Sequence, residues 1–450
     1  MGAKTILTCI CVQFYPTALL IAQSPDSWRL FFDGDVRYRY EHWNNMNARS
    51  YGPEPEIGEP NDDILLQRII AGLTIQFNHW LKVSAHIQDS RAFGWSLANH
   101  VAPDAFKIHH QNSLEPSYTM NPNEEFFEIY DANIQIDSLL NCVSIIAGRQ
   151  KIAFTDYRVF GPGNWGNTGR WNWDAVQLKI DKTSWTAAIW YGGTKINDPQ
   201  KTHLPFTNLE YFGGGIHTNV RIKDILYSDL YLAHKRQGSA AYIREKNMNR
   251  NWAGLRVYNP PNIQWKYEIS YTFEHGREAD RNIKAHGLFL KAGYQFESLY
   301  WKPCLSFRYT YASGNIPNSA DGEGFDPVFG AGDKYYGWMN LVKWTNLEDR
   351  EIMLELYPAR GMRAELKYNI LKIPEPENVK INGNLMLPRG KNHLGSEIDL
   401  HVSYEINENL QLTLLTGYFA LKDAITFTSI NPGDSFYISA QVCYTFKIKL

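Results

Sequence analysis

The chain has 450 residues, of which 44% are hydrophobic, 14% aromatic and 20% charged, at a mean hydropathy of −0.40, values that exclude a disordered or fibrous protein. Lys and Arg number 45 against 47 Asp and Glu, a net charge of −2, so no overall basic excess invites nucleic acid. The 14 Trp, 27 Tyr and 22 Phe are a heavy aromatic load of the kind that favours strands and membrane interfaces.

In chain order, Lys4 precedes an uncharged run from Thr5 to Ala22 that ends in Leu20-Ile21-Ala22. This pattern fits a secretory signal cleaved near Ala22 or Gln23, so residues 1–22 are expected to leave and 23–450 to form a single domain. No other stretch reaches the roughly 18 apolar residues of a membrane-spanning helix. Cys9 and Cys11 depart with the signal, and Cys142, Cys304 and Cys443 lie in strand-like segments, where they read as inert packing residues.

Beyond the signal the chain alternates with period 2. Leu73-Ile75-Phe77 faces away from Thr74-Gln76, and Leu81-Val83-Ala85-Ile87 from Lys82-Ser84-His86-Gln88, with Asn78-His79 between them as a hairpin tip. Further copies are Ile263-Trp265-Tyr267-Ile269-Tyr271-Phe273, Leu288-Leu290-Ala292-Tyr294-Phe296, Leu305-Phe307-Tyr309-Tyr311, Ile398-Leu400-Val402-Tyr404-Ile406 and Leu410-Leu412-Leu414. The last segment, Phe436 to Leu450, places its apolar residues on one parity up to the final residue.

Short links such as Asn78-His79, Asp181-Lys182, Asn259 to Asn262 and Asn407 to Asn409 alternate with long polar ones near 44–63, 92–124, 155–173, 193–212, 236–250, 275–284, 312–334, 372–395 and 421–434. Outer-membrane barrels have this asymmetry, with short periplasmic turns, long extracellular loops and an even number of strands. Treating 338–357 as one irregular strand gives eighteen. Dividing the mature chain over nine hairpins leaves about 48 residues each, room for two strands of roughly 10 residues with a turn and a loop. The expected fold is therefore an all-β, transmembrane antiparallel barrel in a Gram-negative outer membrane, with both termini periplasmic.

If the apolar parity faces lipid, the inner face receives Arg37, Arg39, Arg68, Lys82, Lys179, Lys266, Lys291, Arg308, Arg363 and Lys367, with Glu41, Glu268, Glu365, Glu397, Asp399 and Glu405. The balance leans positive, and rings of Arg or Lys set selectivity in anion pores. Arg also grips carboxylate with a planar fork. No His-Glu-x-x-His, Gly-x-Ser-x-Gly, P-loop or mature Cys-x-x-Cys pattern competes as an enzyme site. His109-His110, Asp62-Asp63 and Glu124-Glu125 fall in loops, where calcium is only weakly signalled. No cofactor or metal is expected.

Gly148-Arg149-Gln150-Lys151-Ile152, Asp156 to Pro162, Asn164 to Arg170 and Trp173-Asp174-Ala175-Val176 resemble the signature region of the alginate-export family of outer-membrane proteins. Tyr231 to Arg236, Ala312 to Asn315, Phe325 to Phe329, Lys334 to Met339 and His393 to Leu400 are similar to family blocks in family order. The resemblance implies a monomeric 18-stranded barrel whose arginine-rich, anion-selective constriction passes alginate or a related polyuronate. It adds Arg149, Arg158, Arg170, Asp156 and Asp174 to the expected lining, with Arg158 and Arg170 reaching the lumen if their loop folds inward. The expected partners are an anionic polysaccharide or uronate oligomer, outer-membrane lipid, and periplasmic export or synthesis proteins. A general or sugar-uptake porin is the alternative, and an outer-membrane enzyme a third.

Overall fold

The computed structural model describes residues 28–450 apart from 47–60, 97–106, 109–117, 120, 122, 155–156, 162, 164, 169–171, 197, 200, 208, 223–224, 238–247, 331–334, 377–384 and 427–432. The signal segment 1–22 lies outside the described residues. Period-2 segments can satisfy their backbone groups only by pairing, and a barrel does so without leaving an edge.

Eighteen strands run antiparallel in chain order: β1 (Arg29–Asn44), β2 (Asp62–Phe77), β3 (Leu81–Phe93), β4 (Glu125–Leu139), β5 (Val143–Gln150), β6 (Trp173–Asp181), β7 (Trp185–Thr194), β8 (Tyr211–Ile222), β9 (Leu226–Gln237), β10 (Asn249–Tyr258), β11 (Trp265–Glu278), β12 (Arg281–Gln295), β13 (Cys304–Ala312), β14 (Leu347–Leu356), β15 (Met362–Lys372), β16 (His393–Glu405), β17 (Leu410–Leu421) and β18 (Ser435–Lys449). β18 closes on β1 from Phe31↔Lys449 to Asn44↔Phe436. Two-residue pairs, Lys107–Ile108 with Tyr118–Thr119 and Leu385–Met386 with Ile425–Thr426, stand outside the wall.

The wall is inside out relative to a water-soluble protein. Ile87, Ile134, Val176, Ile189, Leu232, Ile269, Ile352, Leu366, Leu414 and Val442 point outward and are exposed, while residues of the other parity, such as Ser84, His86, Gln88, Thr272, Ser306, Asn369 and Ser439, are buried within the bore. Exposed aromatics gather near both rims, Tyr40, Tyr191, Tyr368 and Tyr418 at one and Trp80, Trp265, Trp301 and Tyr444 at the other, as interfacial girdles require. No helix among the described residues is long and apolar enough to cross a membrane.

Three expectations are corrected. The link expected over 275–284 is a tight turn, because Glu278 pairs with Arg281 and Ala279 takes a φ of 51°. The strand expected over 338–357 begins only at Leu347, since 338–346 belongs to a loop that has left the wall. Cys142 sits in the 140–142 turn, not in a strand; Cys304 and Cys443 are strand residues, and all three are free thiols.

Candidate functional site: a lumen narrowed by two inward loops

Two long loops leave the same rim, loop A between β5 and β6 and loop B between β13 and β14, and their described residues fold into the bore. Their apolar residues cannot rest in water, and they bury one another. Val159, Phe160, Phe325, Val328, Phe329, Tyr336, Met339 and Trp344 form an apolar core with Trp173, Trp190, Tyr231 and Trp252 of the wall. Phe160 and Phe329 pair as a parallel bridge, with Gly161 N donating to Phe329 O at 3.2 Å. Phe329 meets Trp173 edge-on at 4.4 Å, and Phe160 meets Trp190 and Tyr231, each at 5.3 Å.

Loop A is fastened by wall arginines. Arg37 donates to Gly166 O at 2.8 Å and to Asn167 Oδ1 at 3.0 Å. Arg39 donates to Trp165 O at 2.5 Å, lies 4.2 Å above the Trp165 ring and pairs with Glu41 at 2.6 Å. Fully buried Asn167 donates to Gln67 O at 3.1 Å and to Asn123 O at 2.7 Å, and its carbonyl accepts from Ser90 Oγ at 2.6 Å. Arg158 reaches across to Glu268, which Arg256 also grips through two bonds of 2.9 and 3.0 Å, and stacks 3.5 Å above Phe289.

Loop B is fastened chiefly by wall carboxylates. Glu397 Oε1 accepts from Met339 N at 2.8 Å, and Asp399 Oδ2 from Trp338 N at 3.0 Å. Trp338 stacks on His401 at 4.2 Å, beside Lys367. At the far side Lys235 donates to Val328 O at 3.0 Å, Trp252 Nε1 donates to Asp326 O at 2.8 Å, and Glu274 accepts from Asp326 N at 2.8 Å.

Below the loops, toward the short-turn rim, the bore opens into a cavity of about 1140 Å³ bordered by Trp165, Tyr335, Trp338, Arg308, Arg363, Lys367, His401 and Gln441. A second, of about 480 Å³, is bordered by Asp33, Asp35, Lys82, His86, Asp131 and Lys151. Most arginines here are already neutralised: Arg68 by Asp35 at 2.8 Å, Arg308 by Glu351 at 3.0 Å, and Arg363 by Glu355 and Glu365. Lys82, Lys179, Lys291 and Lys367 have no carboxylate within ion-pair distance among the described residues. At the root of loop A, burial pushes the Lys151 ammonium below its ordinary value, and the Arg68 charge adds to the shift while Asp35 opposes it.

Sequence reasoning thus placed Arg37, Arg39, Arg68, Lys82, Arg158, Arg308, Glu397 and Asp399 inside the bore, and the structure brings Arg37, Arg39, Arg158, Glu397 and Asp399 together as loop anchors. It missed Asn167, Lys235 and Asp326, although all three fall in the family-like blocks quoted above. Expected pore residues Arg149 and Asp174 require a correction. Both have outward parity, Asp174 with exposed Val176 and Arg149 with Ile145 and Ala147. They pair with each other at 2.7 and 3.0 Å, and Arg149 also pairs with Glu128 at 2.7 Å, under a loop that folds over the outside of the wall. No bulge turns Arg149 inward, since β5 and β6 stay in register. Asp156 and Arg170 lie outside the described residues. Among the described residues no cluster of three His, Cys, Asp or Glu is placed to hold a metal ion.

The family model described as alginate export matches residues 29–432. Among curated proteins none matches the chain. Solved structures similar to it include OccAB4 of Acinetobacter baumannii, at TM-score 0.59 and 12% identity, covering 94% of this chain and 100% of that one. The outer-membrane protein OprD of Pseudomonas aeruginosa has TM-score 0.56 and 12% identity over 93% and 94%. OccK2 (OpdF) of Pseudomonas aeruginosa, solved in complex with glucuronate, has TM-score 0.57 and 9% identity over 94% and 98%. At these identities the likeness is one of fold.

Proposed function

We propose, from the premise that this chain belongs to the alginate-export family and is an outer-membrane β-barrel channel, that it passes an acidic polysaccharide of the polyuronate class outward without a covalent step. In this reading residues 1–22 direct export, 23–450 form one domain, both termini and the short turns are periplasmic, and the long loops face outside. The observation that carries the solute class is the set of lysines that have no carboxylate partner among the described residues, Lys82, Lys179, Lys291 and Lys367. A conduit must attract its cargo yet let it go, which calls for several weak sites in series. Lysine suits that task as a mobile point charge without a fixed fork. The arginines, held by carboxylates and backbone carbonyls, serve instead to keep the constriction in shape. That the structural neighbour OccK2 was solved with glucuronate is consistent with carboxylate-bearing sugars as cargo.

The test replaces Lys82, Lys291 and Lys367 together by Gln and measures the reversal potential in planar bilayers under a salt gradient. The expected result is a severalfold fall in the anion-to-cation permeability ratio. An unchanged ratio rejects the lysines as the selective element. Liposome swelling compares solutes: neutral oligosaccharides entering as fast as uronates of equal length would favour a general sugar porin.

A further inference from the structure

Where β5, β6 and β7 approach the long-loop rim, Arg149, Asp174 and Gly193 stand side by side in register on the outer face. One step further down the same strands, Val176 pairs with Tyr191 and both are exposed as part of the apolar belt. The belt therefore ends in a charged row, and residues 202–207 fold over it. His203 O and Leu204 O accept from Arg149 at 2.8 and 3.3 Å, and Phe206 N donates to Asp174 at 2.7 Å. His203 N donates to Glu128, and the Leu209 side chain occupies the space that a Cβ on Gly193 would fill. Arg149 and Asp174 are left with no accessible surface.

The outside of this cover is apolar. Leu204 is 64% exposed and Phe206 54%, next to Phe127 at 64%, whose carbonyl accepts from Thr202 Oγ1. Phe206 and Phe127 have φ values of 66° and 47°, a region that residues other than Gly seldom adopt. Both rings are thus held outward by a backbone that hydrogen bonds and ion pairs fasten from beneath.

We propose that segment 202–207 is a lipid-docking flap, whose Leu204 and Phe206, with Phe127, take the acyl chains of the leaflet at the long-loop rim. The occupant follows from continuity: the three side chains prolong the membrane-facing belt across a stretch where the wall itself carries charge on its outer face. An apolar group that adjoins a bilayer and leads into its belt gains from contact with hydrocarbon, and the charges beneath are sealed from it. The flap also covers the last outward-facing wall pair before loop A departs, because Arg149↔Asp174 is followed only by the inward-facing Gln150↔Trp173.

The test places a nitroxide at Leu204→Cys and, separately, at Phe206→Cys, in the full barrel with its other cysteines replaced by Ala, reconstituted in phosphatidylethanolamine and phosphatidylglycerol vesicles. Val176→Cys serves as the lipid control and Lys201→Cys as the water control. Resistance of the folded band to unheated dodecyl sulfate shows which variants have folded, and two independent positions keep the test intact if one fails. The expected result is collision with oxygen several times more frequent than with a water-soluble nickel chelate, as at Val176. A label that meets mainly the nickel chelate overturns the proposal. So does one shielded from both reagents, which would mean that a second copy or another protein covers the flap.

Discussion

Asn167 shows how a polar loop can lie inside a bore and still be fixed. Its side chain binds Arg37, Gln67 O and Asn123 O, and its carbonyl binds Ser90. Removing one partner of a buried hydrogen bond costs about 1–3 kcal/mol per group left unsatisfied, and Asn167→Ala orphans several at once. Single-channel recordings of that variant are expected to show higher, noisier conductance while the barrel still migrates as a folded species; a trace like the parent's would show that loop A is held elsewhere. Arg158 was legible as a lumen residue only through family resemblance, and its role differs from that of a free cation, because it is bound to Glu268, which Arg256 also holds. Parity says which side chains point inward but not whom they meet. Arg37 finds its carbonyl partner 129 positions away, a distance across which no local pattern carries information.

At the scale of elements, strands were readable because one face meets hydrocarbon along their full length, and alternation leaves a period that survives in the sequence. Loop B defeated the same method. It buries Phe325, Phe329, Met339 and Trp344 for packing against the wall, so 338–346 carries apolar residues without being a strand. The wall gives room for it where side chains are missing. A Cβ at Gly213 would sit 2.9 Å from the Phe329 ring, and one at Gly417 would sit 2.6 Å from Met339 Cγ. Overpacking of this kind costs about 1–3 kcal/mol. Gly417→Leu is therefore expected to loosen loop B and speed tryptic cleavage at Lys343, with the strands still resistant. Equal cleavage rates in parent and variant would show that loop B tolerates the intrusion.

For the whole molecule, the membrane-facing surface is the property most securely written in the sequence, and substitution tests it directly. Ile352, 47% exposed, lies in the middle of β14. Arg on the lipid face near the midplane costs about 2–4 kcal/mol, so Ile352→Arg is expected to lower stability by about that amount in guanidinium titrations of the barrel in lipid vesicles. A loss below about 1 kcal/mol would place Ile352 near an interface, where Arg costs about 0–1 kcal/mol. The solved barrels at 9–12% identity keep the same architecture because it depends on pattern and closure, not on particular residues. What the pattern leaves open is the interior, which in this chain is packed with residues of loops A and B.

That filling has a mechanical meaning. Loop B touches Lys235 and Trp252 at one end and Glu397, Asp399 and Gly417 at the other, so it spans from β9 and β10 to β16 and β17, as a tie-rod spans a ring. A hollow cylinder squeezed by lateral pressure flattens most easily along an unsupported diameter, and here one diameter is braced. Pressure from the surrounding bilayer must then stretch fastened bonds before it can narrow the passage, and the opening keeps its outline while the membrane around it changes tension.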